Sequence, residues 1–279
     1  MTAEFTLAIS TFGNRLLMAQ AVVEQAQKVL PELDIVLIHQ VPEVFVLDEA
    51  ALRLQQRWQR SGDVNYVLST TQGLTKSRNL AFEHARHAWV WLMDDDIVFC
   101  EGAFLTLCQR LAGASHLACL CFESLRESGG RRAVYPEDGA ELNARQRLRV
   151  ASFEIVVNRV FLAERGVSMR EDMGVGSGCG ITMGEESVLL SDIYRAGGLV
   201  QHCASALVVH PDISTGVIVS KENTYSKGVV LKRCFDGGEK FKFFCKDLLK
   251  ILKDRDKTRG TFSKRLALSA ALFKGCYRS

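Results

Sequence analysis

An α/β fold with a mostly parallel, doubly wound sheet is the architecture that this 279-residue sequence predicts. Strand and helix patterns alternate along its N-terminal third, as in successive βα units. Trp89-Val90-Trp91-Leu92-Met93 is a run of large apolar residues, the mark of a strand buried on both faces. Apolar residues make up 47% of the chain and charged ones 24%, enough core for one large domain with a soluble, globular surface.

The elements follow in order. An apolar first strand starts at Phe5 and ends in Ser10-Thr11. The polar turn Phe12-Gly13-Asn14-Arg15 leads into a helix over 16–30, with Pro31 beyond its end. A second strand starts at Asp34 and closes in His39-Gln40. Residues 42–63 are irregular apart from a short helix at 49–59, and 66–68 form a third strand. The turn that starts at Thr71 opens a helix running to about His87, with Leu80, Ala81, His84, Ala85 and Ala88 as its apolar stripe. After Trp89–Met93 come a helix over Ala103–Leu111, a strand over 116–122, a polar and mobile connection over 123–149 and an extended apolar stretch over 153–161. Five glycines between Gly174 and Gly184 form a flexible loop able to approach a ligand closely. Glu185-Glu186 starts a helix over 187–196, and a last strand over 199–209 ends in His210-Pro211.

The chemistry gathers at the ends of these elements. Asp94-Asp95-Asp96 stops the buried strand, and three adjacent carboxylates are costly to hold together without a cation. Hard divalent ions prefer oxygen ligands. In an extended chain Asp94 and Asp96 share one side while Asp95 faces away. Open α/β sheets bind ligands outside the carboxyl ends of their strands, where this triplet falls; a solvated acidic turn is the plain alternative. The Gly73–Asn79 turn offers backbone donors and a helix N-terminus beside Lys76 and Arg78, suited to an anionic or nucleotide ligand. Thr75 or Ser77 could instead simply cap the helix. Glu185 and Glu186 complement a helix dipole, yet one of them is also placed to act as a base. His210 is either a structural histidine or a ligand.

Bulk properties narrow the class further. The start, Met1-Thr2-Ala3-Glu4-Phe5, lacks the basic and apolar regions of a signal peptide, and no window reaches the ~18 apolar residues that span a bilayer, so a cytoplasmic protein is expected. Nine cysteines without a CxxC pair fit reduced thiols better than disulfides or zinc. The formal net charge of +3 conceals an asymmetry: residues 231–279 hold 14 Lys and Arg against 5 Asp and Glu, a net of +9, which leaves −6 on residues 1–230. The expected organisation is therefore an acidic body, 1–230, and a basic tail, 231–279. In the tail, EKFKFFCKDLLKILK sets Phe241, Phe244, Cys245, Leu248, Leu249 and Leu252 at helical spacing among five lysines, and 263–273 repeats the pattern more weakly. An anionic membrane surface is the expected partner of residues 239–274; a helix packed on the body with its lysines in water is the alternative. No stacking pattern or module points to nucleic acid.

In order and spacing these parts resemble the family 2 glycosyltransferases of the GT-A (Rossmann-like) fold, above all the bacterial enzymes that build surface polysaccharides. The resemblance rests on Ile9-Ser10-Thr11, GLTKSRN, DDD, and the block GVGSGCGITMGEESVLLSDIYRAGG followed by VVHPDISTG, and covers roughly residues 5–216. It implies metal-dependent, inverting transfer of a sugar from a nucleotide-sugar donor, a UDP-sugar foremost, to a glycan or lipid-linked acceptor at the inner face of the plasma membrane. DDD matches the family's DxD motif, which makes Asp94 and Asp96 ligands of a Mn or Mg ion, with Asp95 as an alternative; His210, read from its own position, is the candidate for a further metal ligand. The donor site implied comprises Ser10, Thr11, Arg15, Gln40, Gly73, Lys76, Arg78 and Asn79 together with Asp94 and Asp95. GEE matches the "ED" position that supplies the base. Glu186 is the closer counterpart, but Glu in place of the commoner Asp leaves the choice between Glu185 and Glu186 open. Ser187-Val188-Leu189-Leu190 departs as well, being apolar where many members carry another acid, so acceptor contacts differ. A sugar nucleotidyltransferase is the first rival, weakened by the poor phosphate loop at Thr11–Arg15. A non-catalytic glycan-binding domain is the second, and it has no need for both DDD and GEE.

Overall fold

The chain opens with regular βα alternation: β1 (Phe5–Phe12), α1 (Leu16–Val29), β2 (Asp34–Gln40), α2 (Glu49–Ser61), β3 (Asn65–Ser69), α3 (Leu74–His84) and β4 (Trp89–Met93). A mixed half follows, with β5 (Val98–Phe99), α4 (Ala103–Leu111), β6 (Cys119–Arg126), α5 (Ala144–Arg147), β7 (Ile155–Asn158), α6 (Arg159–Arg165), α7 (Glu185–Arg195) and β8 (Val200–His210). Three helices close the chain: α8 (Lys221–Cys234), α9 (Gly237–Lys253) and α10 (Phe262–Tyr277). This computed structural model describes residues 4–212, 220–253 and 262–277. The end of the VVHPDISTG block, part of the 239–274 surface and the first residues of the chain lie outside them.

The strands form one sheet in the order β3-β2-β1-β4-β7-β6-β8-β5. β1 to β4 run parallel, β7 lies antiparallel between β4 and β6, β6 and β8 are parallel, and β5 closes the edge antiparallel to β8. The chain winds outward from β1 to β3 and then returns to β4 on the other side of β1. That reversal opens a crevice between the carboxyl ends of β1 and β4, and the pairing of Ile9 with Met93 brings those ends level.

The unbroken apolar run of β4 is explained by its two faces. Trp89, Trp91 and Met93 join Phe5, Leu7 and Ile9 in a core covered by α1, α2 and α4. Val90 and Leu92 join Ala8, Val36 and Ile38 in a second core covered by α3, α6 and α7. A third cluster joins Met173, Ile181 and Val188 to Val229, Leu231, Phe244 and Leu272 of the last three helices and to Phe235 between α8 and α9. Helices α8 and α10 touch at two glycines: a Cβ on Gly228 would lie 2.3 Å from the Leu272 oxygen, and one on Gly275 would lie 2.1 Å from the Tyr225 oxygen.

Two expectations need correction. The stretch 123–149 is not a mobile connection: β6 continues to Arg126, Asn143 caps α5, and Glu123, Ser124 and Leu142 are buried. Its polarity is used internally. Glu154, fully buried, accepts from Ser124 Oγ (2.6 Å), Tyr135 Oη (2.5 Å) and Arg132 Nε (2.9 Å). The extended stretch that follows ends at Asn158, whose side chain accepts from the Val160 and Phe161 amides and starts α6. Residues 230 and 231 lie within α8, which carries on to Cys234 as one helix.

Candidate active site

The triplet leaves β4 beside the end of β1, and strand alternation turns Asp95 inward, as the sequence implies. Asp95 is 4% exposed and accepts from Thr11 Oγ1 (2.7 Å) and Arg15 Nε (3.0 Å), with a second bond from Arg15 Nη2. Burial pushes its carboxyl up while Arg15 and Thr11 pull it down. Arg15 Nη2 also reaches Asp96 Oδ2 at 3.1 Å. Asp95 is thus a clamp between β1 and β4.

Asp94 and Asp96 face the cleft. Ser152 Oγ donates to both oxygens of Asp94 at 3.1 Å. Asp96 Oδ1 is buried without a hydrogen-bond partner among the described residues and lies 3.6 Å from His210 Nε2. The His210 ring stacks on Phe153 with centroids 4.5 Å apart. Its Nδ1 is 2.7 Å from the Pro211 oxygen, which can only accept, so Nδ1 is the donor there and Nε2 is the nitrogen turned toward Asp96. One ligand atom from each of Asp94, Asp96 and His210 lies within 4.8 Å of the others. Two carboxylates and an imidazole nitrogen, one oxygen among them unpartnered, fit a divalent cation.

Around this group a cleft of about 590 Å³ is lined by Ser10, Thr11, Arg15, Gln40, Gly73 and the triplet. Gln40 Nε2 donates to the Gly73 oxygen (3.1 Å), and Ser77 Oγ to Ser10 Oγ (2.8 Å), which ties the start of α3 to the ends of β1 and β2. Neither Thr75 nor Ser77 caps α3; Thr75 instead bonds the Met173 oxygen. Two expected donor residues are not brought here. Lys76 is half-buried and lines neither part of the cleft. Asn79 is turned by the helix toward the segment before the glycine loop, where it donates to the Met169 oxygen and accepts from the Met169 amide, both at 3.0 Å.

A larger cleft of about 880 Å³ adjoins the first and shares Leu74, Asp94, Val175 and His210 with it. Glu185 and Glu186 enter it from the first turn of α7. The preceding residue must be glycine: Gly184 has φ +92°, and a Cβ there would lie 2.2 Å from Val230 Cγ2. Arg78, 1% exposed, joins the two acidic groups. Its Nη1 donates to Glu186 Oε1 (3.0 Å) and lies 3.6 Å from Glu185 Oε1, while Nη2 donates to Asp94 Oδ1 (3.1 Å). The guanidinium expected at the donor is engaged by acidic groups on both sides. Burial and the neighbouring Glu186 push the Glu185 carboxyl up, to about 8, against the pull of Arg78. Glu185 is 4% exposed, whereas the Glu186 side chain is 16% exposed on the cleft wall. Sequence reasoning missed Ser152 and Phe153, which arrive on a short turn before β7, and the wall formed by Arg126, Arg132 and Arg149. The density of arginines between 126 and 149 was the one available signal.

Residues 39–164 match the family described as Glycosyl transferase family 2. No curated protein sequence matches the chain. Among solved structures it is similar to S. aureus TarS 1-349 in complex with UDP-GlcNAc, with TM-score 0.66 at 13% identity over 98% of this chain and 81% of that one. It is also similar to the mannosyltransferase PcManGT from Pyrobaculum calidifontis in complex with GDP-Man and Mn2+, with TM-score 0.57 at 12% identity over 99% of this chain and 88% of that one. At such identities the likeness establishes the fold.

Proposed function

We propose that this chain, a family 2 glycosyltransferase with the GT-A fold, transfers a sugar from a nucleotide-sugar donor, a UDP-sugar foremost, to a glycan or lipid-linked acceptor in polysaccharide biosynthesis, by one inverting displacement. The observation that carries the reading is Arg78, which ties an acidic group suited to a cation to an acidic pair suited to proton transfer across one continuous cleft. Asp94, Asp96 and His210 would hold a Mn or Mg ion, which when bound offsets the charge of a leaving diphosphate. The α3 N-terminus, with the Gly73 turn, orients the anionic part of the donor. Glu186 takes the proton of the acceptor hydroxyl as it attacks the anomeric carbon. Arg78, by bonding Glu186 Oε1, keeps that carboxylate aimed. Asp96→Asn should abolish Mn- or Mg-dependent binding of UDP, read by calorimetry, with an unchanged circular dichroism spectrum. Unaltered affinity in that variant would remove the basis for the cation site.

A second reading, peripheral attachment to an anionic membrane at its cytoplasmic face, is favoured by α9. Phe241, Leu249 and Leu252 are exposed on the arc of the helix that also carries exposed Lys242, Lys246, Lys250 and Lys253. Apolar side chains beside lysines in water suit the boundary between lipid headgroups and acyl chains. Among the described residues no helix is long and apolar enough to cross a membrane, so contact is from the surface. With each lysine worth about 1 kcal/mol near anionic lipid, changing all four to Gln should release the protein from phosphatidylglycerol vesicles while leaving its melting temperature unchanged. Equal sedimentation of both proteins with the vesicles would reduce α9 to an ordinary solvated face.

A further inference from the structure

The 880 Å³ cleft has a second wall of opposite sign to its acidic end. Arg126, Arg132 and Arg149 line it, in a body whose net charge is −6. Side-chain to backbone hydrogen bonds tie their segments together. Glu154 fixes Arg132, whose Nη2 also donates to the Arg149 oxygen (2.7 Å), and Arg126 Nη2 donates to the Arg132 oxygen (2.9 Å). Arg132 is spent on this anchoring. Arg126 and Arg149 are exposed, and among the described residues no carboxylate lies within ion-pair distance of either. Two guanidinium groups without counter-charges among the described residues, lining a substrate-sized cleft, form a receptor for anions, and their planar forks suit phosphate oxygens in particular.

We infer that the acceptor carries phosphate, bound by Arg126 and Arg149, while its attacking hydroxyl reaches Glu186. The inference rests on the proposed transfer reaction and adds the acceptor's chemical class to it. Such phosphate belongs either to the diphosphate that links a glycan to a lipid carrier or to the phosphodiesters of a polymer.

The test measures binding by calorimetry with UDP and Mn2+ present. The probes are a short prenyl diphosphate bearing N-acetylglucosamine, a glycerol-phosphate oligomer and neutral chitotetraose. At least one phosphate-bearing probe should bind about tenfold more tightly than chitotetraose, and its affinity should fall as salt is raised. The double variant Arg126→Gln/Arg149→Gln should lose that advantage and bind UDP as the parent does, since the donor half lies apart from this wall. Preference for the prenyl probe assigns a lipid-linked acceptor, and preference for the oligomer a phosphodiester polymer. Equal binding of chitotetraose, binding of none of the three while UDP binds, or an unaffected double variant would overturn the inference. Failure of UDP itself to bind would undo the donor reading, and this inference with it.

Discussion

Arg78→Met should cost about 3–5 kcal/mol of stability at neutral pH, the range found when one partner of a buried ionic group is removed. Asp94, Glu185 and Glu186 all converge on this one guanidinium, which is 1% exposed. Without it the Asp94 and Glu186 carboxylates lose their shared counter-charge in a poorly solvated corner beside the protonated Glu185, and each would bind a proton more tightly in the folded than in the unfolded state. Stability of the variant should therefore recover as pH falls toward about 5, where protons relieve the repulsion. Urea unfolding at both pH values reads the effect, and Arg78→Lys supplies the control. A single ammonium keeps the charge but cannot bridge Asp94 and Glu186 as two nitrogens of a fork do, so an intermediate loss is expected. A Met variant as stable as the parent at neutral pH would show that the carboxylates are relieved by water instead.

The same residue marks the limit of what the sequence discloses. Alternating βα units, the β4 run and the inward turn of Asp95 follow from local periodicity, and the structure has them. The partners of each charge do not, because they lie far apart in the chain. Arg78 meets Glu186 across 108 positions, Asp94 meets Ser152 across 58, and Ser124 meets Glu154 across 30. Read locally, 123–149 is polar and therefore loose; once Glu154 is placed beneath it, the same polarity is what fixes it. Lys76 and Asn79 were selected by adjacency to the glycine turn, but a helix turns about 100° per residue and carries Asn79 to another face. The tail divides in a similar way. Its apolar stripe, continuous in sequence, splits into Phe244, buried against Phe273 and Tyr277 of α10, and Phe241, Leu249 and Leu252, left in water. Its charge was legible, but which apolar residues face inward depends on α8 and α10.

Glu186→Gln should lower kcat by roughly 10²–10⁴-fold while donor affinity is nearly kept, the signature of a lost general base. A glutamine oxygen can still accept from Arg78 Nη1, so the geometry survives and only basicity is removed. Glu185→Gln should behave differently. With its carboxyl pushed up to about 8, Glu185 already holds a proton at neutral pH, and a neutral amide replaces it with little loss of turnover. Its effect appears in stability. Above the ordinary value of 4.5 the unfolded chain releases that proton while the folded protein retains it, so the folded state binds more protons and loses stability as pH rises from about 5 to about 8. The slope reaches at most about 1.4 kcal/mol per pH unit for one proton, and Glu185→Gln should flatten it. Initial rates with a nucleotide-sugar donor and its acceptor, and urea unfolding across that pH range, separate the two acids. An inactive Glu185→Gln beside an active Glu186→Gln would reverse the roles, because the buried acid would then have to shed its proton before it could accept another.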